Sequence, residues 1–168
     1  MSRFQTLLHI ELPPYLAQWY VHANGGKHPI LLDSSSTEYK MIRTRLVEKP
    51  SVAFEPDISK SHVSIILSEI EIFEDVPMDY LPRGDREELA EYIRDRFIGD
   101  FIPFMTKGRK KRSRTDRRIE AFMETHGIEF TDTNWNSLAK IFQRQQANDR
   151  MRKYRTKEKF GKKRSKKQ

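Results

Sequence analysis

Cysteine is absent from this 168-residue chain. That excludes a disulfide framework, a thiolate nucleophile and any cysteine-ligated zinc, so stability has to come from burial and hydrogen bonding. No apolar run approaches the roughly 18 residues that a membrane-spanning helix needs, and no apolar stretch of the signal-peptide kind follows Met1-Ser2-Arg3. A cytoplasmic protein with no membrane partner is expected. Glycine is scarce, at seven residues, and Gly25-Gly26 lacks the further glycines and the lysine of a phosphate-cradling loop. His9, His22, His28, His62 and His126 show neither the i,i+4 spacing of a helical zinc pair nor a histidine-x-histidine arrangement. They read as surface or core-edge residues. No serine stands in a nucleophile-elbow context, so neither a cofactor nor a catalytic residue is expected.

Charge of both signs is plentiful, and it is sorted. Residues 1–106 hold 11 Lys and Arg against 17 Asp and Glu, whereas residues 107–168 hold 21 against 7. A mildly acidic body joined to a strongly basic C-terminal part suits a polyanionic partner. Ten Phe, six Tyr and two Trp are enough to seed a core. The division expected is an acidic α+β body over 1–106, a basic helical, helix-turn-helix-like module over 107–155, and a disordered Lys/Arg tail over 156–168. The tail has too little apolar surface to offset its ordering entropy.

Within the body, Leu7 to Leu12 reads as a strand, and Pro13-Pro14 starts a helix through Tyr15, Leu16, Trp19 and Tyr20 that ends at Asn24-Gly25-Gly26. At helical spacing beside a leucine, these three aromatics read as core more readily than as base-stacking residues. Ile30 to Leu32 is a short extended piece. Ser35 and Glu38 have capping-box spacing for a helix over about 37–48 that buries Tyr39, Ile42 and Leu46. His62 to Phe73 reads as a strand buried on both faces at first, with a bulge or sheet edge at Ser68-Glu69. Asp85 caps a helix carrying Leu89, Tyr92, Ile93 and Phe97, which Gly99 ends. The apolar cluster Phe101, Ile102, Phe104 and Met105 closes the body.

The basic part has its own pattern. Lys107 to Arg118 contains eight basic residues and reads as a hinge or the start of the second module. Asp116 to His126 is an amphipathic helix burying Ile119, Phe122 and Met123, with Gly127 just past its end. Thr131, Asp132 or Thr133 caps a second helix with the stripe Trp135, Leu138, Ile141 and Phe142. The opposite face offers Asn134, Asn136, Ser137, Lys140, Gln143, Arg144 and Gln146. Asn, Gln and Arg make paired hydrogen bonds to base edges, and Lys and Arg neutralise phosphates.

The nucleic-acid-binding residues expected are therefore Asn134, Asn136, Lys140, Gln143 and Arg144 for readout. Arg109, Lys110, Lys111, Arg112, Arg114, Arg117, Arg118, Arg150, Arg152, Lys153 and Arg155 are expected for phosphate contact. DNA is favoured over RNA, and residues 1–106 are left for a protein partner or self-association. The connection from Gly127 to Asp132 is longer than the usual turn of a DNA-binding helix pair, so a looser helical hairpin fits equally.

The run Glu120-Ala121-Phe122-Met123-Glu124-Thr125-His126-Gly127-Ile128, followed by Asn134-Trp135-Asn136-Ser137-Leu138-Ala139-Lys140, resembles uncharacterised small basic DNA-associated proteins of phages and mobile elements from gut anaerobes. The resemblance covers Asp116 to Arg152, about a quarter of the chain. It implies an accessory or regulatory role in DNA transactions and carries over no catalytic residue.

Two other classes compete. One is an RNA-binding subunit of a ribonucleoprotein or phage assembly, whose tail orders only on its partner. The other is a small metal-dependent nuclease, with Glu69, Glu71, Glu74, Asp75 and Asp79 as Mg²⁺ ligands. Alternating Glu69 and Glu71 are equally what a solvent-facing strand edge shows. Asp33, Glu38 and Lys40 follow the acid, acid-x-Lys order of many nucleases, but Glu38 reads better as the cap partner of Ser35.

Overall fold

The computed structural model describes residues 6–67, 72–73, 76–107 and 114–164, with side chains of 72–73, 76–77 and 156–164 left aside. Three short strands form one sheet: β1 (Thr6–Glu11), β2 (Ile30–Leu31) and β3 (His62–Leu67). Their order is β1-β3-β2, with β3 antiparallel to β1 and parallel to β2. A second antiparallel pair, β4 (Ile72–Phe73) with β5 (Val76–Pro77), follows. Five helices complete the described residues: α1 (Pro14–Ala23), α2 (Thr37–Arg43), α3 (Arg83–Thr106), α4 (Thr115–Thr125) and α5 (Asp132–Arg164). The protein is α+β.

Register assigns the faces. Leu8 pairs with Ile65 and Ile10 with Val63, and these four side chains are buried beneath α1 and α3. The alternate positions Leu7, His9 and Glu11 turn outward, because successive strand residues face opposite ways. Ser64, partner of His9 in the ladder, is nevertheless buried. The His9 ring and the His28 ring both bond to it: His9 Nδ1 lies 3.0 Å from Ser64 Oγ, and the Ser64 N–H donates to His28 Nε2 at 3.0 Å.

Several expectations change in detail. Helix α3 does not end at Gly99 but runs through it, and through Pro103, to Thr106. Phe97, Phe101 and Met105 continue its buried stripe at four-residue steps, and that burial outweighs the roughly 1 kcal/mol propensity cost of an interior glycine. Its N-cap is Pro82, and Asp85 lies in the first turn. Helix α2 is shorter than expected, ending at Arg43. Its cap is Ser36, whose Oγ accepts from the Tyr39 N–H, whereas Ser35 bonds to Asp33. Glu38 is no cap partner. It is buried, 4% exposed, and paired with Arg96 of α3. The bulge expected at Ser68-Glu69 lies outside the described residues.

The acidic body and the basic module do not have separate cores. Phe97 and Phe101 of α3 meet Phe122 of α4 edge to face, at 5.8 and 4.9 Å between ring centroids, and Phe101 meets Phe142 of α5 at 6.4 Å. Leu8, Trp19, Ile119, Phe122, Leu138 and Phe142 belong to one buried cluster. The boundary near residue 106 marks a change of charge within a continuous hydrophobic interior.

Candidate nucleic-acid interface

Helix α4 forms where Ile119, Phe122 and Met123 recur at three or four residues, and it stops at His126. Gly127 then takes φ +64, the left-handed conformation that L side chains rarely adopt. The Ile128 N–H donates to Met123 O at 2.9 Å, and Ile128 itself is buried. This is a Schellman closure. Gly127 has a second reason to be glycine, since a Cβ there would come within 2.7 Å of the His22 ring.

Helix α5 starts at Asp132, where Thr131 Oγ accepts from the Asn134 N–H at 3.2 Å, so Thr131 is the capping residue. Leu138 and Phe142 are buried, with Trp135, Ala139 and Ile141 packed at the edge of the core. Beyond Phe142 no residue up to Arg155 is buried. The helix continues to Arg164 through much of the tail expected to be disordered, and residues 165–168 lie outside the described residues. Lys, Arg and Glu are good helix formers, and a seated helical first half removes the nucleation cost for the rest. At 1.5 Å per residue, α5 is about 50 Å long.

Of the residues expected to contact nucleic acid, Asn136, Lys140, Gln143 and Arg144 are exposed on α5. Their i, i+4, i+7 and i+8 spacing sets them on one side of the helix, away from Leu138 and Phe142. Arg150, Arg152, Lys153 and Arg155 are exposed on the following turns, and Arg114 and Arg117 at the start of α4. Arg109, Lys110, Lys111 and Arg112 lie outside the described residues.

Two side chains have other roles. Asn134 is 2% exposed, and its Nδ2 donates to Gln18 Oε1 at 3.1 Å and to Glu129 O at 2.9 Å. It ties the start of α5 to α1 and does not face a groove. Arg118 donates to Phe104 O and, at 2.8 Å, to Lys107 O. These carbonyls belong to the last turn and cap of α3, whose C-terminal partial negative charge a cation satisfies.

The nuclease ligands Glu69, Glu71, Glu74 and Asp75 fall outside the described residues. Among the described residues no group of three His, Asp or Glu side chains is placed to hold a metal ion. Nor is any described helix long and apolar enough to cross a membrane.

Sequence reading missed a histidine group on the sheet's outer side and a buried arginine in the first turn of α3. The His9 and His62 rings lie 5.2 Å apart, and His28 and His62 6.4 Å apart. Burial lowers the His9 pKa below its ordinary 6.5, with the charges of His62 and Arg86 acting the same way. Arg86 is 8% exposed and donates from Nε to Leu81 O and from Nη1 to His9 O, each at 2.7 Å. Its signal was available in the sequence, since Arg86 stands on the stripe that continues as Leu89, Ile93 and Phe97. Comparison with family models, with curated proteins and with solved structures gave no match to this chain.

Proposed function

We propose that this protein is a non-catalytic nucleic-acid-binding factor that grips duplex DNA with the exposed length of α5. The observation that carries this reading is a helix seated on the core only as far as Phe142, with no buried residue after it up to Arg155 and most of that stretch exposed. Asp132–Arg164 contains eleven Lys and Arg against three Asp and Glu. Helix propensity lets such a rod persist, and the cations it presents to solvent suit a phosphate backbone. From Gln143 onward the helix is about 33 Å long, close to one turn of the DNA duplex. Asn136, Lys140, Gln143 and Arg144 offer side chains able to read base edges, with the arginines and lysines of the later turns as phosphate contacts.

The resemblance of residues 116–152 to phage and mobile-element proteins favours an accessory or regulatory task there. Tyr154, 65% exposed, favours the second reading, an RNA-binding subunit, because an exposed aromatic stacks on unpaired bases.

A chain ending at Met105 is a poor test, since it exposes Phe97, Phe101 and Met105 by removing Phe122 and Phe142. A chain ending at Ala147 removes no residue buried in the described core. Fluorescence anisotropy with duplex DNA, single-stranded DNA and RNA of equal length, at several salt concentrations, compares it with the full chain. The reading expects the full chain to prefer duplex and the shortened one to lose most of that affinity. Equal binding by both chains overturns it, and a preference for RNA transfers the function to the second reading.

A further inference from the structure

The acidic body carries a cleft of about 610 Å³ between β1, the segment around Phe54 and Lys60, and the N-terminal ends of α1 and α3. Its floor is unusual in charge. Arg86 lines it, more than nine-tenths buried, and among the described residues no carboxylate forms an ion pair with it. Two of its five N–H donors are taken, by Leu81 O and His9 O, which leaves three. Glu55 acts on it only at longer range and is itself held by Lys49 at 2.5 Å. The other carboxylates at the rim are engaged too, Glu87 with Arg83 at 2.8 Å and Glu11 with Lys60 at 3.5 Å.

Both helices that end at the cleft lack a side-chain cap. The N-cap positions of α1 and α3 are Pro13 and Pro82, and neither helix has a side-chain hydrogen bond there. The start of α1 offers little, since Pro14 has no N–H and the Leu16 N–H donates to Pro13 O at 2.9 Å, whereas the first turn of α3 presents its N–H groups and positive dipole end to an external acceptor. A buried cation without a carboxylate partner is costly; the Tyr80 ring, 5.6 Å from the guanidinium, offsets part of that cost, and the cation stands beside the uncapped start of α3 in the same cavity. The rest of the wall is mostly apolar, with Leu12, Pro14 and Phe54 beside the polar His9 and Ser61 and with Arg83 lying over the Phe54 ring at 5.1 Å, and the volume suits a small molecule.

We infer that this cleft is a binding site for a small amphiphilic carboxylate, whose anionic end meets the free edge of the Arg86 guanidinium while its apolar body lies against Phe54 and Pro14. A planar carboxylate matches the guanidinium fork. This site is independent of α5 and of the nucleic-acid reading.

The test uses the full chain and 3-phenylpropanoate, with 3-phenylpropanamide as its uncharged twin, in calorimetric titration. Arg86→Met removes two hydrogen bonds to backbone carbonyls and can fail to fold, so Ala90→Trp serves beside it, filling the cleft from the next turn of α3 while keeping the arginine at position 86. Saturable binding of the acid at least about tenfold tighter than the amide, weakened at least about tenfold by Ala90→Trp with the thermal unfolding temperature kept, is the expected result. Equal affinity for acid and amide, binding unchanged in Ala90→Trp, or no saturation by the acid up to on the order of 10 mM each overturns the assignment.

Discussion

Gln18, in the middle of the first helix, accepts a hydrogen bond from Asn134 at 3.1 Å across 116 residues of chain. The same Oε1 accepts from the Glu129 N–H at 2.9 Å. One amide oxygen thus fixes the loop between α4 and α5 to the body, and with it the direction in which α5 leaves the core. Replacing Asn134 with Ala leaves Glu129 O and Gln18 without their shared donor. The expected cost is about 1 to 3 kcal/mol, measured by urea denaturation. Gln18→Ala should show a comparable loss, and the double variant less than the sum, because the two share one network. Nucleic-acid affinity per folded molecule should not change in Asn134→Ala, whereas a base-reading residue would change it.

Gly127→Ala tests the corner itself. The left-handed φ of +64 and the close approach of His22 both oppose a methyl group. A loss of about 1 to 3 kcal/mol is expected from the backbone alone. Adding His22→Ala should recover part of it by removing the ring that the methyl meets. No recovery would assign the whole loss to the backbone.

Tyr20→Phe should be neutral or stabilising. The Tyr20 hydroxyl is fully buried and, among the described residues, has no hydrogen-bond partner; burial pushes its pKa up to about 12. Deleting an unsatisfied buried hydroxyl removes a desolvation penalty of about 1 to 3 kcal/mol while leaving the ring in place. A clear destabilisation would show that the hydroxyl has a partner in solution.

His9 should give the fold a pH dependence whose sign follows from its lowered pKa. Its folded pKa lies below the ordinary 6.5, so the unfolded chain binds the proton more readily. The stability it contributes is present above 6.5 and is lost as the pH falls from there through the lower folded value. The midpoint of urea unfolding should decline on that limb, and His9→Gln should flatten the decline. Carboxylates such as Asp33 and Asp57, whose pKa values are lowered by hydrogen bonds from Ser35 and Ser59, act in a more acidic window and leave the His9 limb readable.

The elements of the body and the two C-terminal helices were legible because their apolar periodicity and turn chemistry agree. Gly127 and Thr131 act as their residue types imply. What misled was polarity placed on a buried stripe. Glu38 precedes Ile42 by four residues, Arg86 precedes Leu89 and Ile93 by three and seven, and Asn134 precedes Leu138 and Phe142 by four and eight. Each polar side chain is therefore carried inward by its helix and bonds to a group distant in sequence: Arg96, the His9 carbonyl and Gln18. Local reading assigned Glu38 to a cap and Asn134 to a recognition face because those partners are set by tertiary packing alone. The change of charge near residue 106 is legible in the sequence, whereas the contact of Phe101 with Phe122 across it is set by tertiary packing.

The most direct test of phosphate binding by α5 is the salt dependence of duplex DNA affinity. It compares the full chain with a variant in which Arg144, Arg150, Lys153 and Arg155 are replaced by Gln. Each phosphate contact removed lowers the slope of log affinity against log salt by about 0.9, so a fall of up to roughly three to four is expected, with the fold unchanged. An identical slope and affinity in the two proteins would contradict the assignment of these cations to a nucleic-acid partner.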